Sequence, residues 1–135
     1  GETRGTFSVS RESIASDRHP ERNEDAMFVR ERSWGVCDGV GGHSDGKVAS
    51  EMAANYLTAK IGTLPEKMTT QEAVDGVAQA LVGADQIVNI RAREMGNDMA
   101  TTASVVVAYQ DERGRLMAIV GNVGDSRVYL MRGLC

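Results

Sequence analysis

The chain has 135 residues, which fits one domain of ordinary size. Hydrophobic residues make up 41% and charged residues 25% of the chain, which is typical of a folded globular protein and excludes long disorder. Asp and Glu outnumber Lys and Arg by 19 to 15, and the net charge of −4 provides no basic surface for nucleic acid. No apolar run is long enough to span a bilayer, and no signal peptide opens the chain. We therefore expect a soluble, cytoplasmic domain without nucleic-acid or membrane contacts.

The first forty residues predict short strands and a polar loop. Residues 6–10 alternate in hydrophobicity and predict a strand, whereas residues 16–25 have no periodicity and predict a loop. Residues 26–30 and 33–37 are β-prone runs separated by two charged residues, and they predict an antiparallel pair. Cys37 and Cys135 have no metal-type spacing, so we expect reduced thiols.

A glycine-rich loop and two helices are predicted next. Glycines recur at positions 39, 41, 42 and 46, after which residues 47–61 have helical periodicity with Ser44 or Asp45 as the N-cap. Thr69 and Glu72 have the spacing of a capping box, and the amphipathic pattern behind them predicts a long helix to about residue 95. Glycines at positions 76 and 83 of this helix predict close packing against a neighbour.

The last third of the chain is rich in β-forming residues. Residues 101–109, 115–123 and 126–131 predict three strands, the first two joined by a turn at residues 111–114. Strands, two helices and strands again predict an α+β fold in which an antiparallel sheet carries the helices on one face.

Three acidic residues form the first candidate site. If the two strands at residues 26–37 pair as a hairpin, Asp25 at the start of one and Asp38 at the end of the other lie at the same end, with Glu24 beside them. Such carboxylates repel one another unless protons or cations intervene, and oxygen ligands without thiolates favour Mg²⁺ or Mn²⁺ over Zn²⁺. The carbonyl oxygen of Gly39 is a further candidate ligand. From spacing alone, solvated turn acids remain an equal alternative.

Three other polar residues are candidates whose position alone does not decide between a functional and a structural role. Arg22 is suited to bidentate binding of a phosphate group, or it is a surface arginine paired with a neighbouring glutamate. His43 is a candidate proton carrier, although local hydrogen bonding is the favoured interpretation. Asp125 follows a glycine turn, where aspartate often only binds nearby backbone.

The segment at residues 41–47 matches the glycine and lysine spacing of a phosphate-binding P-loop. Val48 stands where that motif needs a Ser or Thr hydroxyl for Mg²⁺, and the preceding sheet is predicted to be antiparallel. We therefore favour Lys47 as a residue of a helix surface and keep nucleotide binding as a minor alternative.

Five segments together resemble a known family. They are RNEDA at 22–26, VCDGVGGH at 36–43, GKVAS at 46–50, ATTAS at 100–104 and GNVGDSRVYL at 121–130. In order and spacing they resemble the metal-dependent Ser/Thr protein phosphatases of the PPM or type 2C class, in their bacterial form, over residues 7–132. The resemblance implies a sandwich of two antiparallel β-sheets flanked by helices (α-β-β-α), of which this chain is expected to supply the N-terminal part of a single domain.

The resemblance also implies roles for individual residues. Asp38 matches the acid that bridges two Mn²⁺ or Mg²⁺ ions, Gly39 matches a carbonyl ligand, and Glu24 and Asp25 match acids that hold metal-bound waters. Asp125 matches an acid of a further, weaker metal site. The implied reaction is attack of a metal-activated water on phosphoserine or phosphothreonine of protein substrates.

Two departures from the family pattern stand out. The family's phosphate-binding Arg usually lies four residues before the Glu, where this chain has Pro20, so Arg22 is the candidate in its place. The family's two later metal-binding aspartates have no match here, so we expect this chain alone to be inactive and the intact protein to be active. We also expect the intact protein to be a monomer. An inactive regulatory domain that binds phosphoproteins remains the alternative function.

Overall fold

The computed structural model describes residues 24–42, 45–124 and 127–135, and it contains one sheet and two helices. The predicted strand at residues 6–10 lies outside the described residues. In chain order the elements are β1 Asp25–Val29, β2 Ser33–Val40, α1 Asp45–Gly62, α2 Thr70–Met95, β3 Ala100–Gln110, β4 Leu116–Gly124 and β5 Arg127–Leu134. The predicted α+β class with an antiparallel sheet is confirmed.

The strands lie in the sheet in the same order as in the chain, β1-β2-β3-β4-β5, and every neighbouring pair is antiparallel. Both helices belong to the single long connection, between β2 and β3. Neither helix of the described residues is long and apolar enough to cross a membrane.

The core lies between the helices and one face of the sheet. Alternate strand residues such as Cys37, Val105 and Ile119 point to this face and are at most 1% exposed. Leu57 of α1 and Leu81 of α2 are completely buried against them. Because strand side chains alternate between faces, the residues between these positions point to the opposite, open face.

On the open face, residues that are partners in register form rows across the strands, and these rows become more polar toward one end of the sheet. The apolar row is formed by Val29, Trp34, Val106, Val120 and Met131, which are neighbours in register. The next row is mixed and consists of Met27, Val36, Ser104, Asn122 and Tyr129. The third row begins with Asp25, Asp38 and Thr102. The acidic residues therefore lie at one end of a sheet face that none of the described elements covers.

Helix α2 forms as its sequence predicts. The Thr69 hydroxyl accepts a hydrogen bond from the amide of Glu72 at 3.1 Å, and the Glu72 carboxylate accepts one from the amide of Thr69 at 3.0 Å. The helix ends at Gly96, whose φ of 68° is the left-handed conformation that glycine adopts without strain. Gly76 and Gly83 lie against Leu64 and Tyr56, with no room for side chains, so the predicted close packing is confirmed.

The predicted ends of two strands were wrong, and the first of them bears on the site. Strand β2 does not end at Cys37 but continues to Val40, because β3 begins at Ala100 and pairs with it. Asp38 and Gly39 are therefore strand residues with partners on both sides. Strand β5 likewise reaches Leu134, because it pairs with β4 as far as Met117. A second sheet is not present in the described part of the chain.

Candidate active site

Asp25 and Asp38 are direct partners in the register of β1 and β2. Cross-strand partners project to the same face, so both carboxylates lie on the open side of the sheet, at the end that the sequence predicts. Asp25 is half-buried and Asp38 is exposed. The β1–β2 pair thus holds two like charges at adjacent positions.

The environment of Asp25 favours its protonated form. Partial burial, a hydrogen bond with the Asp38 side chain and the charges of Asp38 and Glu24 raise the pKa of Asp25 above its ordinary value. All four causes oppose a negative charge on Asp25. A cation between these acids would remove the repulsion.

Glu24 lies against the first turn of α1. A methyl group placed on Gly46 would be 2.7 Å from Oε2 and 3.0 Å from Oε1 of Glu24, so the carboxylate fills the space that a side chain would need. The carbonyl oxygen of Glu24 accepts a hydrogen bond from the amide of Gly39 at 3.2 Å. Its backbone is thereby hydrogen-bonded to β2, and its carboxylate lies next to the first turn of the helix.

Two further contacts hold the backbone around Asp38. The Thr101 hydroxyl donates to the Asp38 carbonyl oxygen at 3.0 Å, a bond it shares with the Thr102 carbonyl oxygen at 2.8 Å, and Thr101 is 6% exposed. Gly39 packs its Cα against the carbonyl group of Gly46, where any side chain would collide. The strand and the helix N-terminus are consequently in backbone contact.

The first turn of α1 is itself tied to the loop after α2. The Asn97 amide donates to the Asp45 carboxylate at 3.0 Å, and Asn97 Oδ1 accepts from the amide of Met99 at 3.1 Å. Asp45, predicted as a possible N-cap, is the first residue of the helix. Ser44, the other candidate, is outside the described residues.

The donor set suits a hard divalent cation in chemistry but is incomplete. Carboxylate and carbonyl oxygens are the ligands that Mg²⁺ and Mn²⁺ prefer, and the charge between Asp25 and Asp38 is what such an ion would neutralise. Within residues 24–42, 45–124 and 127–135, however, no three His, Cys, Asp or Glu side chains converge closely enough to hold an ion. The acids in these ranges therefore do not form a complete ion site among themselves.

Other predicted residues divide into those that are described and those that are not. Lys47 is exposed on α1 and lies 4.0 Å from Glu51, and the sheet ahead of it is antiparallel, so the geometry does not support a P-loop. Burial raises the pKa of Cys37 to about 12, which makes this thiol unsuitable as a nucleophile. The predictions for Arg22, His43 and Asp125 lie outside the described residues.

The sequence reasoning missed three supporting residues. Gly46 belongs to the segment GKVAS but was given no role of its own, and Asn97 gave no signal, because its partner Asp45 is far away in the sequence. Thr101 belongs to the segment ATTAS, and its contact with Asp38 appears only when β3 is paired with β2.

The amino-acid sequence matches a known protein family and individual members of it. The family model described as protein phosphatase 2C matches residues 6–134. The serine/threonine phosphatase Stp of Listeria monocytogenes is 33% identical over 99 residues, a match that spans 72% of this chain and 37% of Stp.

Solved structures have the same fold. The serine/threonine phosphatase PstP/Ppp of Mycobacterium tuberculosis superimposes with a TM-score of 0.66 at 16% identity, over 91% of this chain and 51% of that protein. The catalytic domain of PstP in complex with two manganese ions superimposes with a TM-score of 0.62 at 17% identity, over 89% of this chain and 51% of that one. The chain thus spans about a third to a half of the proteins it resembles, and its match to the family model over nearly its whole length shows that it belongs to the protein phosphatase 2C family.

Proposed function

We propose that this chain supplies one acidic part of the active site of a Mn²⁺- or Mg²⁺-dependent protein serine/threonine phosphatase. The observation that carries the proposal is the direct pairing of Asp25 with Asp38 on the open face, with Glu24 close enough to raise the pKa of Asp25 further. Family membership and the two manganese ions in the PstP complex support the choice of metal and reaction.

In this proposal each described residue has a distinct task. Asp38 binds metal through its carboxylate, while Thr101 fixes its backbone. Gly39 offers its carbonyl oxygen, and Glu24 and Asp25 hold coordinated water. A bound divalent cation supplies Lewis acidity toward the phosphoryl group and lowers the pKa of coordinated water. Asp125 and acids elsewhere in the intact domain would complete the site, and Arg22 would contact the phosphate of the substrate.

The substrates would be proteins phosphorylated on serine or threonine, and the location would be cytoplasmic. Family membership and the phosphatase relatives support this substrate class. The intact protein is proposed to act as a monomer.

Activity toward a phosphoserine peptide tests the proposal. In the full-length protein, hydrolysis should require Mn²⁺ or Mg²⁺ and stop in EDTA. Asp38→Asn should lower kcat/KM by at least about 100-fold, since even outer-shell partners of a metal can cost that much. Asp98→Asn, which changes an exposed acid outside the site, should leave the rate unchanged. Activity that survives EDTA or Asp38→Asn would contradict the proposal.

One observation favours a second candidate, a domain that binds phosphoproteins without hydrolysing them. The described residues lack a three-ligand metal cluster, which a purely binding domain would not need. Saturable binding of the phosphopeptide by the full-length protein, with no phosphate release in Mn²⁺, would favour this alternative.

A further inference from the structure

The contact between Glu24 and α1 is unusual for a helix N-terminus, because it depends on a residue without a side chain. Gly46 is buried in the first turn of α1, and the Glu24 carboxylate atoms lie 2.7–3.0 Å from where its methyl group would be. Glycine supports helix formation less well than alanine does. A glycine at this position therefore calls for a reason other than helix formation.

We propose that Gly46 is a positioning residue that lets the Glu24 carboxylate lie on the first turn of α1, where its charge acts on Asp25. The inference rests on the proposed function, in which Glu24 holds coordinated water. It goes beyond that function by assigning the orientation of Glu24 to a residue that touches neither metal nor substrate.

The surroundings leave Glu24 little freedom to adapt. Its carbonyl oxygen is bound by the amide of Gly39, so the backbone cannot withdraw from the helix without losing that bond. Withdrawal of the helix would break the hydrogen bond from Asn97 to Asp45, and closer approach is blocked because Gly39 already packs on the Gly46 carbonyl group. A methyl group at Gly46 would therefore be accommodated by the flexible end of Glu24, which would turn away from its neighbours.

The helix dipole makes this resting place favourable for an acid. The first turn of a helix carries partial positive charge, which stabilises a nearby carboxylate. The same turn begins with Asp45, whose carboxylate is engaged by Asn97. The partial positive charge of this turn thus stabilises the Glu24 carboxylate next to the helix, as long as no side chain at position 46 is in the way.

Gly46→Ala in the full-length protein is the direct test, with binding of Mn²⁺ alone measured by calorimetry. We expect the Kd for Mn²⁺ to rise roughly tenfold, within the range found for residues that orient metal ligands. Gly62→Ala is the matched control, because it lies at the other end of α1 and a methyl group there would meet no atom within 4 Å. Its Kd should equal that of the wild type.

Combination with Glu24→Ala separates positioning from a general structural effect. Once the carboxylate is gone, Gly46→Ala should weaken Mn²⁺ binding no further, whereas independent effects would multiply. Thermal unfolding in EDTA gives a readout without metal. Gly46→Ala should stabilise the Glu24→Ala protein but not the protein with Glu24, because the helix gains alanine without a collision only in the former.

The outcomes identify which idea fails. If Glu24→Ala leaves Mn²⁺ binding unchanged, the role of Glu24 in the proposed function is wrong. If Glu24→Ala weakens binding but Gly46→Ala does not, only the positioning role is wrong. If Gly46→Ala has the same effect on Mn²⁺ binding or on unfolding with and without Glu24, the two residues are not coupled and the inference is overturned.

Discussion

Asp38 faces Asp25 across two paired strands, and this arrangement opposes the stability of the metal-free protein. Like charges in directly opposite positions of a sheet are destabilising by roughly 0.2–1 kcal/mol. We therefore expect Asp38→Asn to raise the free energy of unfolding by about that amount in EDTA at pH 7, as measured by urea titration. The same substitution should abolish activity, so stability and function would change in opposite directions.

The pH dependence of the same experiment has a defined sign. Because the pKa of Asp25 is raised in the folded state, its favourable contribution is complete below the ordinary value of 3.8 and is lost as pH rises through the raised pKa. Asp38→Asn should flatten this decline, whereas Asp98→Asn should keep it. An Asp38→Asn protein that is less stable than the wild type at pH 7 would show that the repulsion is not the dominant effect.

The sequence predicted which acidic residues lie together, but it did not predict the residues that support them. Asp25 and Asp38 could be brought together because strand spacing determines which residues of a hairpin are opposite. The roles of Thr101 and Asn97 could not be foreseen, since each depends on contacts between elements distant in the chain. The space above Gly46 is likewise a property of packing between a strand and a helix.

At the scale of elements, helix α2 begins where its capping box predicts. Thr69→Ala removes the hydroxyl that accepts from the amide of Glu72, and we expect the free energy of unfolding to fall by about 1 kcal/mol. Thr69→Ser keeps the hydroxyl and should lose much less. Equal stabilities of the two variants in urea unfolding would mean that the box contributes little.

The turn between β3 and β4 shows the limit of such predictions. Its position at residues 111–114 follows from its composition, but not the burial of Asp111, which is 1% exposed. Burial acts to raise the pKa of Asp111, but hydrogen bonds from the amides of Arg115 and Arg113 and the Arg115 guanidinium outweigh it and lower the pKa. Sequence patterns locate a turn, whereas the packing of the finished sheet decides which of its side chains become internal.

For the whole molecule, the open face of the sheet predicts how the 135-residue chain behaves alone. Val120 and Met131 are adjacent in the apolar row and are 46% and 74% exposed. Contiguous apolar surface of this kind promotes association. We expect the chain to self-associate in sedimentation experiments and the Val120→Lys, Met131→Lys double variant to remain monomeric.

A matched substitution on the helix side distinguishes this face from hydrophobicity in general. Ile90 is 49% exposed on α2, away from the open face, so Ile90→Lys should leave the association unchanged. Association that is lost equally in Ile90→Lys would exclude the sheet face as its cause.

The order of the strands in the sheet also determines the order in which the acidic site can assemble. Neighbouring strands are consecutive in the chain, so β1–β2 and β3–β4–β5 can each form through short turns, whereas pairing β2 with β3 must close a loop that contains both helices. Contacts distant in sequence close slowly, because the entropy of the loop is lost before the contacts form. Asp25 and Asp38 can therefore meet early, in a local hairpin, but the support that Thr101 gives Asp38 must await this slow closure. A folding chain would therefore pair Asp25 with Asp38 before Thr101 of β3 supports Asp38. We expect the ability to bind a metal ion to be among the last properties to appear during folding.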